Sequence, residues 1–182
     1  MNILSSILGI KIDIRGIPDQ SANLFVSNHV TYLDIIIINK LLPVNFIAKE
    51  EISSWPVIGR LASKTGTLFI KRGDNVESSK MIYEMEERFK LQNKIVFFPE
   101  GKIGNGKRVR KFHYKLFKSI ENKELYIQPI AIRYPSGYPI NNNYSEIISD
   151  KSLKGEMFSL YLKFLMRRRS HVILIFLDKV ST

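Results

Sequence analysis

The sequence predicts an α/β fold, a single layered α/β/α domain with a mostly parallel, mixed sheet. Two observations lead to this prediction. Short apolar runs alternate with segments of helical periodicity along the chain, as in parallel strands joined by helices. The length of 182 residues and the hydrophobic content of 45% suit one domain with a sizeable core.

Short apolar runs bounded by polar or turn residues indicate six strands. They cover residues 24–27, 44–48, 67–71, 94–98, 125–133 and 171–177. The first contains the apolar run Leu24-Phe25-Val26. In the fifth, Pro129 predicts an edge position or a bulge, because proline has no N–H to give to the ladder.

Helical periodicity and helix stop signals indicate five helices between these strands. They cover residues 31–42, 57–63, 76–91, 111–121 and 156–166. Pro43 ends the first helix, and the break at Trp55-Pro56 precedes the second. In the third, Ile82, Met85 and Phe89 recur at helical spacing, which predicts a buried face.

The N-terminus is predicted to form an amphipathic segment over residues 1–13, before a main domain over residues 14–182. Its apolar side chains fit one face of a short helix: Ile3, Leu4, Ile7 and Leu8. That face either packs on the domain or lies in a membrane surface. No apolar run approaches the roughly 18 residues of a spanning helix.

The charge of the chain favours anionic partners. There are 28 Lys and Arg residues against 17 Asp and Glu, which gives a net charge of +11. Such a surface attracts phospholipid headgroups, nucleic acid or phosphorylated substrates. The absence of cysteine excludes disulfides and thiolate chemistry.

A histidine and a carboxylate stand five residues apart directly after the first predicted strand, at His29 and Asp34. On one continuous helix the two side chains would diverge by roughly 140°. At a strand-to-helix junction they can meet, and the carboxylate then fixes the imidazole tautomer and leaves the second ring nitrogen as a base. The alternative is a surface histidine with an aspartate that only complements the helix dipole.

Two further clusters follow predicted strands, where sites gather in open α/β sheets. Pro99-Glu100-Gly101 comes after the fourth strand and is typical of a tight turn that presents Glu100 or the backbone to a ligand. A basic loop follows it, with Lys102, Lys107, Arg108, Arg110 and Lys111. The third strand contains Phe69 and is followed by Arg72, which can grip a phosphate or a carboxylate.

Taken together, these blocks resemble the motifs of the glycerolipid acyltransferases. The likeness rests on Asn28-His29-(four residues)-Asp34 (the HX4D motif), Gly66 to Arg72, Phe98-Pro99-Glu100-Gly101 and Pro129, and extends over about residues 14–179. More narrowly, the chain is similar to the bacterial 1-acylglycerol-3-phosphate acyltransferases and their lysophospholipid or lyso-ornithine-lipid relatives. The resemblance implies a glycerol-3-phosphate acyltransferase-like fold.

The resemblance also implies an O-acyltransferase of phospholipid biosynthesis, with His29 as the general base and Asp34 as its orienting partner. Residues for binding the acceptor would be Phe69, Arg72, Pro99, Glu100 and Gly101. The donor would be acyl-CoA or acyl-carrier protein as a co-substrate, and the acceptor a lysophospholipid such as 1-acylglycerol-3-phosphate. No metal and no other cofactor is expected.

The chain departs from the family pattern after Gly101, where Lys102 and Ile103 stand in place of a small hydroxyl residue and an arginine or serine. This departure leaves lyso-ornithine lipid open as the acceptor. We expect peripheral attachment to an anionic membrane surface, at the cytoplasmic face of the (inner) membrane, and no nucleic-acid partner. The alternatives from other classes are a non-catalytic domain that binds RNA or another polyanion, and a hydrolase in which water replaces the acceptor.

Overall fold

The computed structural model describes residues 10–31, 33–55, 58–71, 75–104, 106, 108–121, 123–135 and 170–182. Eight strands within these ranges form the sheet. They are β1 (Ile10–Arg15), β2 (Leu24–Ser27), β3 (Val44–Lys49), β4 (Leu68–Ile70), β5 (Lys94–Phe97), β6 (Tyr126–Arg133), β7 (Ser170–Phe176) and β8 (Val180–Ser181). The described α-helices are α1 (Leu33–Leu41), α2 (Ile58–Lys64) and α3 (Asn75–Lys90). Two 3-10 helices cover Glu50–Ser54 and Tyr114–Ser119.

The strands lie in the order β1-β7-β6-β2-β5-β3-β4, and β8 pairs with β6. Strands β2 to β6 all run parallel to one another, so their carboxyl ends share one edge of the sheet. Strands β7 and β8 run antiparallel to β6, and β1 runs parallel to β7. The predicted α/β fold with a mostly parallel, mixed sheet is therefore confirmed.

Apolar side chains cover both faces of the sheet because successive strand residues point to opposite sides. Phe25 of β2 packs in the cluster that contains Leu33, Ile37 and Ile38 of α1. Its neighbour Leu24 packs in the other cluster, together with the buried face of α3: Met81, Met85 and Phe89. This is the layered arrangement of an α/β/α domain.

Pro129 lies in an interior strand, so the predicted edge position is wrong. Strand β6 stands between β2 and β7, but its pairing with β7 begins at residue 130 and its pairing with β8 ends at residue 127. The Pro129 carbonyl accepts a hydrogen bond from the N–H of Leu177 at 3.0 Å, and so faces this gap. The nitrogen of a strand residue faces the same side as its carbonyl, so the missing N–H of Pro129 costs no ladder bond.

Two other expectations differ from the structure. Residues 111–121 form only the 3-10 helix Tyr114–Ser119, because backbone contacts with the site residues hold the preceding segment in an extended path. Strand β1 was not predicted, although Ile10, Ile12 and Ile14 alternate with polar residues, which is the period of a strand. Residues 10–13 of the expected N-terminal segment therefore lie in the sheet; residues 1–9 and the predicted helix 156–166 lie outside the described residues.

Candidate active site

His29 and Asp34 meet at the junction of β2 and α1. Strand β2 ends at Ser27, and α1 begins at Leu33 with Asp34 in its first turn. The Nδ1 atom of His29 lies 2.9 Å from Oδ2 of Asp34. The turn between the strand and the helix thus brings the two side chains together, whereas on one continuous helix they would point apart.

Asp34 is completely buried, and four groups donate hydrogen bonds to its carboxylate. Oδ2 accepts from the backbone N–H groups of Val30 at 2.6 Å and Thr31 at 2.9 Å, besides the bond from His29. Oδ1 accepts from the hydroxyl of Tyr134 at 2.7 Å. These donors replace water around both oxygens and so compensate for the burial of the carboxylate.

Tyr134 directly follows β6 and comes to this site from a distant part of the sequence. Burial, followed by the negative charge of Asp34, raises the pKa of its hydroxyl well above the usual range for tyrosine. The hydroxyl therefore stays protonated at physiological pH and donates a hydrogen bond to Asp34. No role for Tyr134 was predicted from the sequence, although its place at the carboxyl end of a predicted strand was a usable signal.

The imidazole ring of His29 is fixed on one face by Phe98. The two rings are stacked, with centroids 4.0 Å apart and planes inclined by 13°. The side chain of His29 is 11% exposed, so the ring lies near the surface while its partner Asp34 does not. Donation of Nδ1–H to Asp34 selects the tautomer in which Nε2 carries the lone pair of a base.

Asn28 fixes the end of β2 to β6. Its side-chain Nδ2 donates to the carbonyl of Ile132 at 2.9 Å, and its Oδ1 accepts from the N–H of Ile132 at 2.7 Å. The side-chain amide thereby extends the parallel β2–β6 ladder beyond Ser27, where the backbone pairing ends. This two-way contact sets the position of the chain immediately before His29.

The turn Pro99-Glu100-Gly101 stands at the same edge of the sheet, after β5. Pro99 and Glu100 are buried, and Gly101 has a φ of 66°, a conformation that favours glycine. The N–H of Gly101 donates to the carbonyl of Phe98 at 2.9 Å and closes the turn. The turn therefore fixes the residues on either side of it relative to the Phe98 ring, which stacks on His29.

The segment after the turn joins Glu100 to His29. The N–H of Gly104 donates to the backbone carbonyl of His29 at 2.6 Å, and Oε2 of Glu100 accepts from the N–H of Arg110 at 3.1 Å. A Cβ atom on Gly104 would lie 3.4 Å from both the His29 carbonyl and Oε2 of Glu100. Three of the predicted acceptor residues, Pro99, Glu100 and Gly101, are thus placed beside the His29–Asp34 pair.

The remaining predicted site residues stand apart or outside the described ranges. Phe69 lies in β4, paired with Ala48 of β3 and three strands from β2, although at the same edge of the sheet. Arg72 lies outside the described residues. Nε2 of His171 donates to Oδ2 of Asp13 at 2.7 Å, in the β1–β7 pair. Across the described part of the chain, no group of three or more His, Cys, Asp or Glu side chains could hold a metal ion.

Comparison with known proteins gives a family model and several relatives. The model described as Acyltransferase matches residues 11–133. The lyso-ornithine lipid O-acyltransferase of Pseudomonas aeruginosa is 35% identical over 131 residues, which are 72% of this chain and 50% of that protein. The corresponding protein of Rhodobacter capsulatus is 36% identical over 72% of this chain and 49% of its own length.

Two further similar proteins carry phosphate-containing acceptors in their names. The 1-acyl-sn-glycerol-3-phosphate acyltransferase of Neisseria gonorrhoeae is 33% identical over 70% of this chain and 50% of its own length. The crystal structure of the 1-acyl-sn-glycerophosphate acyltransferase PlsC from Thermotoga maritima superposes with a TM-score of 0.66 at 18% identity. That match covers 98% of this chain and 69% of the other, and it supports the fold. The chain spans about half the length of the sequence relatives.

Proposed function

We propose that this chain, which belongs to the acyltransferase family, moves a fatty acyl group from a thioester donor to the hydroxyl of a lysophospholipid in phospholipid biosynthesis. The donor is acyl-CoA or acyl-carrier protein, and the acceptor is 1-acylglycerol-3-phosphate or a similar single-chain lipid. The observation that carries the proposal is the contact of His29 with the buried carboxylate of Asp34 at the carboxyl edge of the sheet. Relatives named for acyl transfer to lysolipids support this choice.

The reaction transfers one proton twice, first to His29 and then to the leaving thiolate. Nε2 of His29 takes the proton of the acceptor hydroxyl while the hydroxyl oxygen bonds to the thioester carbonyl carbon. The C–S bond then breaks, and the departing thiolate takes the proton from the imidazolium to leave as a thiol. Asp34 stays ionised throughout and stabilises the imidazolium through its bond to Nδ1. No step requires a metal or a cofactor other than the acyl thioester.

The geometry around His29 suits a base that must not rotate. Phe98 supports the ring from one side, and Asp34 fixes its edge. Asp34 in turn is fixed by Tyr134 and by two backbone N–H groups. A base that is already oriented loses little conformational entropy on reaching the transition state, which is a principal source of catalytic rate.

The residues around His29 suggest which headgroup the acceptor carries. Pro99, Glu100 and Gly101 lie beside His29, and we assign them, together with Phe69 and Arg72, to the acceptor pocket. An arginine suits the phosphate of 1-acylglycerol-3-phosphate. Lyso-ornithine lipid is the second candidate, because two relatives at 35% and 36% identity are named for it.

We also propose peripheral attachment at the cytoplasmic face of the (inner) membrane. The acceptor carries a long acyl chain and resides in the bilayer, whereas acyl thioester donors are made in the cytoplasm. The net charge of +11 favours an anionic lipid surface. In the ranges that the structure describes, none of the helices has the length and apolar character needed to cross a bilayer.

The test is an acyl-transfer assay with a panel of acceptors. The protein is incubated with labelled acyl-CoA or acyl-carrier protein and with 1-acylglycerol-3-phosphate, lyso-ornithine lipid or other lysophospholipids, and the lipids are separated by mass. We expect a diacyl product with one class of acceptor and its loss in His29→Ala. His171→Ala is the matched control, because this histidine also pairs with an aspartate, Asp13, but in the β1–β7 pair and outside the site.

Three outcomes would contradict the proposal. Free fatty acid without a diacyl product would indicate a hydrolase. Absence of turnover combined with tight RNA binding would indicate a polyanion-binding domain. Normal turnover by folded His29→Ala protein would remove His29 from the role of base.

A further inference from the structure

A strongly basic segment with exposed apolar side chains stands next to the catalytic pair, and the reaction gives it no role. Residues 101–120 contain seven of the 28 Lys and Arg residues of the chain and no Asp or Glu. Within them, residues 108–115 form eight consecutive exposed positions. We call these eight residues the docking segment. Exposed apolar side chains that cluster in such a segment mark a surface for contact with a partner.

The docking segment combines cations with apolar side chains. Arg108, Arg110 and Lys111 supply three of its positive charges. Val109 is 68% exposed, Phe112 is 44% exposed and Tyr114 is 67% exposed. A further cation, Lys115, donates to Oδ1 of Asn75 at the start of α3. Three exposed apolar side chains within six residues, interleaved with cations, differ from the singly scattered apolar residues of an ordinary surface.

Backbone bonds attach this segment firmly to the site. The N–H of Arg110 donates to Oε2 of Glu100, and the N–H of His113 donates to the carbonyl of Pro99 at 2.8 Å. Just before the segment, the N–H of Gly104 donates to the carbonyl of His29. The backbone therefore faces the site, while the side chains of the segment face outward. Whatever binds the side chains is therefore brought to the edge of the sheet that carries His29.

From these observations we propose that the docking segment, residues 108–115, binds the surface of an anionic lipid bilayer and holds the His29 site against it. The proposal deepens the proposed function, since it names the surface through which the enzyme meets its lipid acceptor. Cations next to an anionic leaflet attract phospholipid headgroups, and aromatic side chains settle at the level of those headgroups. An acidic protein partner would match the charges but would leave the exposed apolar groups without a comparable apolar layer.

The experiment is vesicle flotation of the full chain without donor or acceptor. Vesicles consist of phosphatidylcholine with or without phosphatidylglycerol. The test variant is Val109→Ser/Lys111→Gln, and the matched control is Leu91→Ser/Lys90→Gln. The control also removes one exposed lysine and one exposed aliphatic side chain, since Leu91 is 72% exposed. Lys90 ends α3 and Leu91 follows it, both before β5, so they lie at the opposite edge of the sheet from Glu100.

We expect the test variant to bind anionic vesicles about ten-fold more weakly, since one cation alone contributes about five-fold and the valine adds an apolar contact. The control variant should stay within about two-fold of the unmodified protein, because its lysine lies at the opposite edge of the sheet and the attraction of a cation falls off within a Debye length of the lipid surface. A second variant, Arg108→Gln/Tyr114→Ser, should reproduce the loss with different side chains. Circular dichroism of each variant confirms that it is folded before binding is measured.

Equal losses in test and control variants would overturn the proposal, as would unchanged binding in both variants of the docking segment. Equal binding to vesicles with and without phosphatidylglycerol would also overturn it. If the variants keep vesicle binding but lose retention on immobilised acyl-carrier protein in a separate binding assay, the segment serves a protein partner instead. Because the assay contains no substrates, segment-dependent binding by a protein without transfer activity would refute only the proposed function.

Discussion

The carboxylate of Asp34 links three parts of the chain at the scale of single residues. It accepts hydrogen bonds from Nδ1 of His29 at the end of β2, from two N–H groups in the turn before α1, and from the hydroxyl of Tyr134 at the end of β6. Each donor compensates for the loss of water around a buried charge. The same bonds that make the burial tolerable also orient the base.

Asp34→Asn should reduce turnover by about 10³-fold but lower the free energy of unfolding by only about 1 kcal/mol. The amide oxygen can still accept from the N–H groups of Val30 and Thr31, and the Tyr134 hydroxyl can rotate to accept from the amide nitrogen. A neutral amide, however, does not stabilise the imidazolium that forms when His29 takes a proton. Steady-state kinetics and urea unfolding measure the two effects separately.

Asp34→Ala is the comparison variant. It leaves the buried N–H groups of Val30 and Thr31 without an acceptor, which should cost roughly 2–4 kcal/mol. If Asp34→Ala were as stable as Asp34→Asn, the hydrogen bonds of the carboxylate would have no structural role. Near-normal turnover in folded Asp34→Asn would contradict the orienting role.

Tyr134→Phe should lower kcat about three- to ten-fold and leave KM for the acceptor nearly unchanged, because one hydrogen bond to the orienting carboxylate is lost. Steady-state kinetics with the acceptor concentration varied separate the effect on kcat from the effect on KM.

Tyr126→Phe provides the matched control for this substitution. Tyr126 begins β6, whereas Tyr134 follows its end, and the Tyr126 ring lies at the edge remote from the site. Its kcat and KM should coincide with those of the unmodified protein. An unchanged kcat in folded Tyr134→Phe protein would contradict the assigned role of Tyr134.

At the scale of elements, the site depends on how β2 is attached to β6. Backbone pairing between the two strands ends at Ser27 and Ile130. Asn28 continues it with its side chain, using both a donor and an acceptor against Ile132. The position of His29 therefore follows from the register of two strands that are far apart in the sequence.

Asn28→Ala should lower the free energy of unfolding by roughly 2–3 kcal/mol, because the N–H and the carbonyl of the buried residue Ile132 both lose their partner. It should also reduce kcat about ten-fold or more, because the chain before His29 is no longer fixed. Asn45→Ala is the control: in β3, Asn45 donates to the Thr65 carbonyl at an exposed position. Equal effects of the two substitutions on kcat would contradict the assigned function of Asn28.

At the scale of the whole molecule, the sheet collects the site at one edge and the charge distribution favours a membrane surface. Strands β2, β5 and β6 deliver His29, Glu100 and Tyr134 to the same edge because these strands run parallel. The net charge of +11 then acts over distances longer than any contact in the site.

Binding of the protein to anionic vesicles should therefore fall steeply when salt is raised from about 0.1 M to about 1 M, since the Debye length shrinks from about 10 Å to about 3 Å. Vesicles of phosphatidylcholine alone should bind weakly at both salt concentrations. Co-flotation at a series of salt concentrations measures this. Binding that does not change with salt would show that charge is not the dominant attraction.

The sequence by itself determined the features that depend on neighbouring residues. Alternating apolar runs and helical periodicity predicted β2 to β7 and the α-helices in the described ranges to within a few residues, because these patterns reflect local geometry. The meeting of His29 with Asp34 was also predictable, since only one turn of chain separates them. The blocks Asn28 to Asp34, Gly66 to Arg72 and Phe98 to Gly101, together with Pro129, indicated the family that the comparisons then showed.

Only the tertiary structure decided which distant residues complete the site. Tyr134 is 100 positions from Asp34, and Ile132 is 104 positions from Asn28, so their contacts depend on the order and register of the strands. Pro129 is accommodated in an interior strand because a gap separates β7 from β8 beside it, and no local sequence pattern reveals that gap. The physical reason is common to all three cases. Periodicity specifies which face of an element is buried, whereas the partner on that face is chosen by the packing of the whole sheet.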